Sequence, residues 1–287
     1  MFAIIGILTV IGSVVVGYAM VNGHFAVLLQ INEFLIIGGS ALGAFFISNG
    51  SASVGYLKQI PIIFRGPKYG QKHFLEALTM MYVFFRVAKA KGDMALEAHV
   101  EKPVESSIFR QFPTVMKDHV AFDFLCGYMR LLTLGTNNAI DIEGVMDNEL
   151  DGITHECNAP GTAINGIADG APALGIVAAV LGVIHTMGSI SEPPDVLGHL
   201  IGCALVGTFF GVGLAYGFVG PIAACITNYR QCEIEYVKLF KAALLGHMQG
   251  YAPQVSVEFA RKALPPHVRP SFAKLDEACN SVTIPQG

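Results

Sequence analysis

Basic side chains are confined to two blocks of this chain. Eleven of its 18 Lys and Arg lie between Lys58 and Arg130, and the other seven between Arg230 and Lys274. Residues 1–57 and 131–229 hold none. Those stretches contain four apolar runs, at 2–21, 29–49, 171–190 and 197–226. At 1.5 Å of rise per residue, about 20 apolar residues cross the ~30 Å hydrocarbon core of a bilayer. All four runs reach that length, and the last is long enough to tilt or to project beyond the membrane. The composition agrees: 53% of residues are hydrophobic and 14% charged, against about 25% charged in soluble proteins. With a net charge of -4, these figures exclude an ordinary soluble enzyme, a disordered chain and a nucleic-acid binder. The first run has no positively charged n-region and no A-x-A-like site, so it is expected to be a span and not a signal peptide.

The same asymmetry sets an orientation. The links around Asn22-Gly23-His24 and from Ser189 to Asp195 are short and carry no Lys or Arg. Two hairpins are therefore expected to face outward, with the N-terminus, the middle segment and the C-terminal tail in the cytoplasm. The expected organisation is all-α: spans one and two in 1–49, a helical cytoplasmic domain in 50–170, spans three and four in 171–226, and in 227–287 a cytoplasmic tail packing on the insert. In the insert, Phe74, Leu75, Leu78, Met81, Tyr82 and Phe85 recur at helical spacing, with Lys72, Glu76 and Arg86 interleaved. Pro103 interrupts that pattern. A second apolar stretch covers Phe122 to Leu134, and an acidic helix follows at 141–149 with Ile142 and Met146 on one side. No alternating run competes as a strand, and no internal repeat stands out.

The middles of the four runs contain no Asp, Glu, Lys or Arg; Glu33 and Asp169 sit at run edges. A channel or pump for ions usually carries an ionisable group in its path, and the middles of these runs offer none. His185 and His199, near the outer ends of runs three and four, read as interfacial residues. Small residues recur at i,i+4 in Gly175/Ala179, Gly207/Gly211 and Gly213/Gly217, a spacing that lets helix backbones approach closely. Packing within the chain and packing against other subunits both fit. Pro172 opens run three, where proline is tolerated. Pro221 lies inside run four and is expected to kink it and free the carbonyl near Gly217. Thr208 either bonds its own i−4 carbonyl or faces a polar path. The six cysteines show no CxxC or metal-ligand spacing and read as reduced thiols.

Several stretches together resemble the MotA family of flagellar motor stator subunits, over essentially the whole chain. Ala204-Leu-Val-Gly207-Thr208-Phe-Phe-Gly211 followed by Pro221 is similar to the family's fourth membrane helix. The stretch from Pro172 to Gly182 resembles its third. Gly250-Tyr-Ala-Pro253, Val257 to Lys262 and Arg269-Pro-Ser-Phe272 resemble its cytoplasmic tail, and Phe122-Asp-Phe124 with Tyr128 and Arg130 adds a match in the insert. Gly213 departs from the pattern, which usually has a larger aliphatic residue there.

The resemblance implies a ring of five such chains around two copies of MotB, in the bacterial inner membrane. MotB would supply one membrane helix whose aspartate carries the ion, and ion passage would drive torque on the rotor protein FliG, with no covalent chemistry and no cofactor. Pro172, Ala179, Thr208 and Pro221 would then line or gate the ion path. Gly175, Gly207 and Gly211 would pack the helices. Lys89 and Glu97 would face the rotor, with Arg86 or Lys91 sharing the basic role. Sodium-driven relatives carry a threonine at the position of Ala179. A methyl group offers no oxygen to a hard cation, so the expected ion is the proton. An ExbB- or TolQ-like energiser is the nearest alternative, but it would have three membrane helices and no such tail. A solute transporter would need broken helices with polar midplane groups and inverted repeats, which the sequence does not display. No His/Asp/Glu cluster, nucleophile elbow or phosphate loop suggests an enzyme.

Overall fold

Each apolar run is helical in the computed structural model, which describes residues 2–135 and 138–284. No strand occurs among the described residues. Four helices are long and apolar enough to cross a membrane: Phe2–Met20, Phe25–Arg65, Ala139–Met187 and Pro194–Met248, the second and fourth of these containing breaks. The chain divides into two units, one of Met1–Gly66 with Asn158–Tyr229, the other of Pro67–Cys157 with Arg230–Gly287.

In the first unit, helix α1 (Phe2–Met20) has no buried residue. It ends in a tight turn at Asn22, whose positive φ of 56° is tolerable for an asparagine. Beside it Gly23 lies against the Tyr18 ring, with no room for a side chain. Helix α2 (Ile31–Asn49) buries Glu33, Ile37, Ala41 and Phe45. Their spacing of four residues makes a single stripe, and three of the four are what an apolar interface requires. Three more long helices serve this unit; one lies wholly within it, and two continue into the second unit.

In the second unit, helix α3 (Gln71–Lys91) buries Phe74, Leu78, Met81, Tyr82 and Phe85 as their periodicity predicts. A short helix α4 (Glu97–Glu101) and helix α5 (His119–Thr133) follow. The Asp118 side chain caps α5 by accepting from the Ala121 N–H, and it also receives Lys68 Nζ at 2.5 Å. Helix α6 (Ala139–Met187) buries Ile142 and Met146 near its start, on one side as expected. Helices α7 (Pro194–Leu214) and α8 (Gly220–Met248) flank a π-helical turn at Ala215–Val219. Tyr236 of α8 stacks on Tyr69 at 4.1 Å and meets Phe74 edge-on. Helices α9 (Pro253–Ala263) and α10 (Phe272–Ser281) pack on α3, so the tail shares one apolar core with residues of the insert.

One feature of α6 differs from the sequence expectation. Pro172 does not open a helix; it lies inside α6, as does Pro160. Each proline removes one hydrogen bond, and in a helix interior this costs about 3 kcal/mol. Spanning helices accommodate such breaks because neighbouring helices and local adjustment re-satisfy the freed groups.

Candidate ion path and rotor-facing surface

In the first unit the backbones of α6 and α7 approach closely. Ala171, Gly175, Ala178 and Gly182 form a stripe on α6, and Ala204, Gly207 and Gly211 form one on α7. A Cβ added to Gly175 would lie 2.8 Å from the Gly207 carbonyl oxygen and 3.1 Å from Gly211 Cα. One added to Gly211 would lie 2.6 Å from the Ala171 carbonyl oxygen. These glycines therefore pack within the chain. Gly213 has nothing within 4 Å of where its Cβ would be, so a methyl group there would fit without displacement.

Ala179 and Thr208 flank this crossing. Gly207 is the common neighbour: its added Cβ would come 3.1 Å from the Ala179 backbone nitrogen, and Thr208 follows it in sequence. Both Ala179 and Thr208 are half-buried. The Thr208 hydroxyl makes no hydrogen bond among the described residues, unlike Thr186 and Thr227, which bond their i−4 carbonyls. It is thus left available to a water or a partner group.

Pro221 is exposed and does distort its helix. With no N–H to give the Gly217 carbonyl, and with its ring crowding that oxygen, the chain widens by one residue per turn. The Gly220 N–H accordingly bonds to the carbonyl of Ala215, five residues back. Pro172 is half-buried in α6. Nothing in the structure joins the two prolines to each other.

Sequence reasoning missed three residues here. Glu33, placed at the edge of a run, turns its carboxyl inward to Gly207, and a Cβ added there would meet Oε2 at 2.5 Å. Gly182 packs on Ala204, and Gly161 packs against Thr227. The four-residue spacing of Glu33 with Ile37, Ala41 and Phe45 was the available signal for Glu33.

In the second unit, Arg86, Lys89, Lys91 and Glu97 are all exposed. Lys89 and Glu97 do not share a continuous helix. Gly92 adopts φ 84° and ends α3 at Lys91; a 3-10 turn at Asp93–Leu96 then leads into α4, which begins at Glu97. Arg86 donates to the Tyr82 hydroxyl at 2.9 Å. Lys89 and Glu97 form no ion pair among the described residues.

The turn between them is anchored on several sides. Leu96 and Val100 are buried. Asp93 bonds to His247 at 2.7 Å, whose ring stacks on Phe85 at 4.6 Å. Glu101 meets Arg130 at 2.6 Å. His99 Nδ1 lies 2.9 Å from the Ser106 hydroxyl, which accepts from the Ile108 and Phe109 N–H groups. With two donors already on that oxygen, its own hydrogen points to His99 Nδ1, which must be the unprotonated nitrogen.

Elsewhere the chemistry is sparse. Among the described residues no group of three or more His, Cys, Asp or Glu is placed to hold a metal ion. Burial pushes the Cys126 thiol up to about 12, which suits a core residue and not a nucleophile.

A family model described as Motility protein A N-terminal matches residues 4–92, and one described as the MotA/TolQ/ExbB proton channel family matches residues 119–238. Motility protein A of Salmonella typhimurium is 40% identical over 286 residues, covering 99% of this chain and 97% of that protein. The chain belongs to the motility protein A family. Motility protein A of Escherichia coli is 39% identical over 287 residues, and chemotaxis protein LafT of Vibrio parahaemolyticus 27% over 274. The fold is that of C. jejuni MotAB, with a TM-score of 0.74 at 19% identity over 94% of this chain and 98% of that one. It is also that of the flagellar MotAB stator complex from Bacillus subtilis, with a TM-score of 0.70 at 24% identity over 95% and 100%. As a motility protein A, this chain is a flagellar stator subunit, and a multi-pass membrane protein of the proton channel family.

Proposed function

We propose that this motility protein A conducts protons together with MotB and converts their passage into torque on the rotor protein FliG. It does so as a ring of five chains around two MotB copies, in the inner membrane, with both termini in the cytoplasm. The observation that carries the reading is the α6–α7 crossing. Ala179 and Thr208 flank one glycine-lined contact, and the unbonded Thr208 hydroxyl provides a polar group for an ion path. The Ala179 methyl gives no oxygen to a sodium ion, which needs several oxygen ligands; a proton needs only a carboxyl and water. MotB enters because the solved relatives are complexes with it, and its aspartate would carry the ion. Exposed, unpaired Lys89 and Glu97 suit a rotor contact that forms and releases at each step, since such pairs contribute only about 0–1 kcal/mol each. Their field guides approach and register.

The test is proton flux. The complex of this chain with its single-span partner, reconstituted in liposomes under a potassium diffusion potential, should acidify the lumen in sodium-free buffer. Flux that appears only with sodium would overturn the ion assignment. No flux with either ion would overturn the conducting role.

A further inference from the structure

We propose that Glu33 is a second proton-carrying carboxyl of the ion path, supplied by this chain itself. The proposal rests on the conducting role above.

Glu33 is 93% buried, at 7% exposure, by its own chain alone. Its Oε2 is fully enclosed and has no hydrogen-bond partner among the described residues. No basic counter-ion is near at hand in the spans, since residues 1–57 and 131–229 contain no Lys or Arg. An ionisable group kept inside a membrane protein without a partner is costly. A purely structural role would be expected to satisfy it. Glu33 lies in the first turn of α2, where a carboxylate could cap the helix, yet its side chain caps none of the first N–H groups.

The position of the carboxyl gives that cost a purpose. A Cβ on Gly207 would lie 2.5 Å from Glu33 Oε2 and 3.1 Å from the Ala179 backbone nitrogen, and one on Gly182 would lie 3.4 Å from Glu33 Oε1. Two glycines on facing helices thus leave the notch that houses the carboxyl, at the level of Ala179 and beside Thr208. Above it, Gln30 donates to Cys203 Sγ at 3.0 Å, and His199 lies 3.7 Å from the same sulfur. These are polar groups in an otherwise apolar wall, at the end of the spans joined by the Gly188–Pro193 link. The step is simple: the carboxylate takes a proton from a hydronium, releasing water, and later returns it to another water, so no other reactant is consumed.

The experiment uses the purified complex with its single-span partner. Wild type is treated with a lipid-soluble carbodiimide, which adds an acidic carboxyl O–H across its C=N bond, and adducts are located by peptide mass spectrometry. In parallel, proton flux is measured for wild type, Glu33→Gln and Glu33→Asp in liposomes. The expected results are an adduct on Glu33, a flux about tenfold or more lower in Glu33→Gln, and partial recovery in Glu33→Asp. Wild-type flux in Glu33→Gln, or no adduct on Glu33 while the partner's carboxyl is labelled, would overturn the proposal. If Glu33→Gln does not assemble, the adduct and the Glu33→Asp flux decide: no adduct, or a Glu33→Asp complex that assembles with unchanged flux, overturns it. Failure of the wild-type complex to conduct would overturn the conducting role itself, which separates the two readings.

Discussion

At single positions, the crossing of α6 and α7 makes glycine replacement a matter of space. Adding a methyl inside a helix ordinarily stabilises it by about 0.5–1 kcal/mol relative to glycine. At Gly175, Gly207 and Gly211 that methyl would come within 2.5–2.8 Å of a backbone or carboxyl atom, and overpacking of this kind costs about 1–3 kcal/mol. Gly175→Ala, Gly207→Ala and Gly211→Ala should each lower the thermal stability of the detergent-solubilised protein, while Gly213→Ala should leave it equal or slightly higher. A loss at Gly213 as large as at Gly211 would mean that contacts outside the chain set these requirements. The i,i+4 pattern made Gly207 and Gly211 legible in the sequence. It could not separate them from Gly213 and Gly217, because spacing states which residues share a face and not which face meets a neighbour.

Among the elements, the corner between α3 and α4 holds the charges proposed to face the rotor, and Gly92 breaks the helix between them. The periodicity of Phe74 to Phe85 specified α3 well, because burial on a packed core repeats with the helix turn. It could not show that the chain turns after Lys91, which depends on one residue adopting φ 84°. Loss of one charge should weaken motility mildly, whereas Lys89→Glu and Glu97→Lys should each impair swimming with membrane insertion and proton flux unchanged. Reversal of the facing FliG charge should restore part of the loss. Normal swimming by Glu97→Lys cells at wild-type expression would remove Glu97 from the rotor contact. The same corner should respond to pH. Burial, and then the charge of Lys91, hold His99 below the usual imidazole range. As pH falls, the unfolded chain takes up that proton first. The stability this ring confers is therefore complete above the free imidazole value of about 6.5, and is lost as pH falls through the lower folded value. Amide protection at Ile108 and Phe109 should fall as pH is lowered below about 6.5 in wild type, and not in His99→Gln. Equal pH sensitivity in both would assign the effect to another group.

For the molecule as a whole, the runs free of Lys and Arg made the four spans legible, because a bilayer imposes a length and penalises charge over it. The inward turn of Glu33 was not legible in the same way: the side chain of a run-edge residue can reach several ångströms along its helix, and only the glycine notch on two other helices shows where it goes. Orientation is tested by single cysteines in a background free of the six native ones. At Asn22 and Ser191 they should react with a membrane-impermeant thiol reagent in intact cells. One at Val104, which is exposed, should react only after permeabilisation; labelling of Val104 with Asn22 silent would invert the topology. The central claim, a proton-driven stator subunit, is tested most directly by rotation. Tethered cells lacking this chain, with it re-expressed, are observed in sodium-free medium at a fixed membrane potential. Rotation should return at the speed seen with sodium present; paralysis that is relieved only by adding sodium, or that persists in both media despite normal expression, would contradict it.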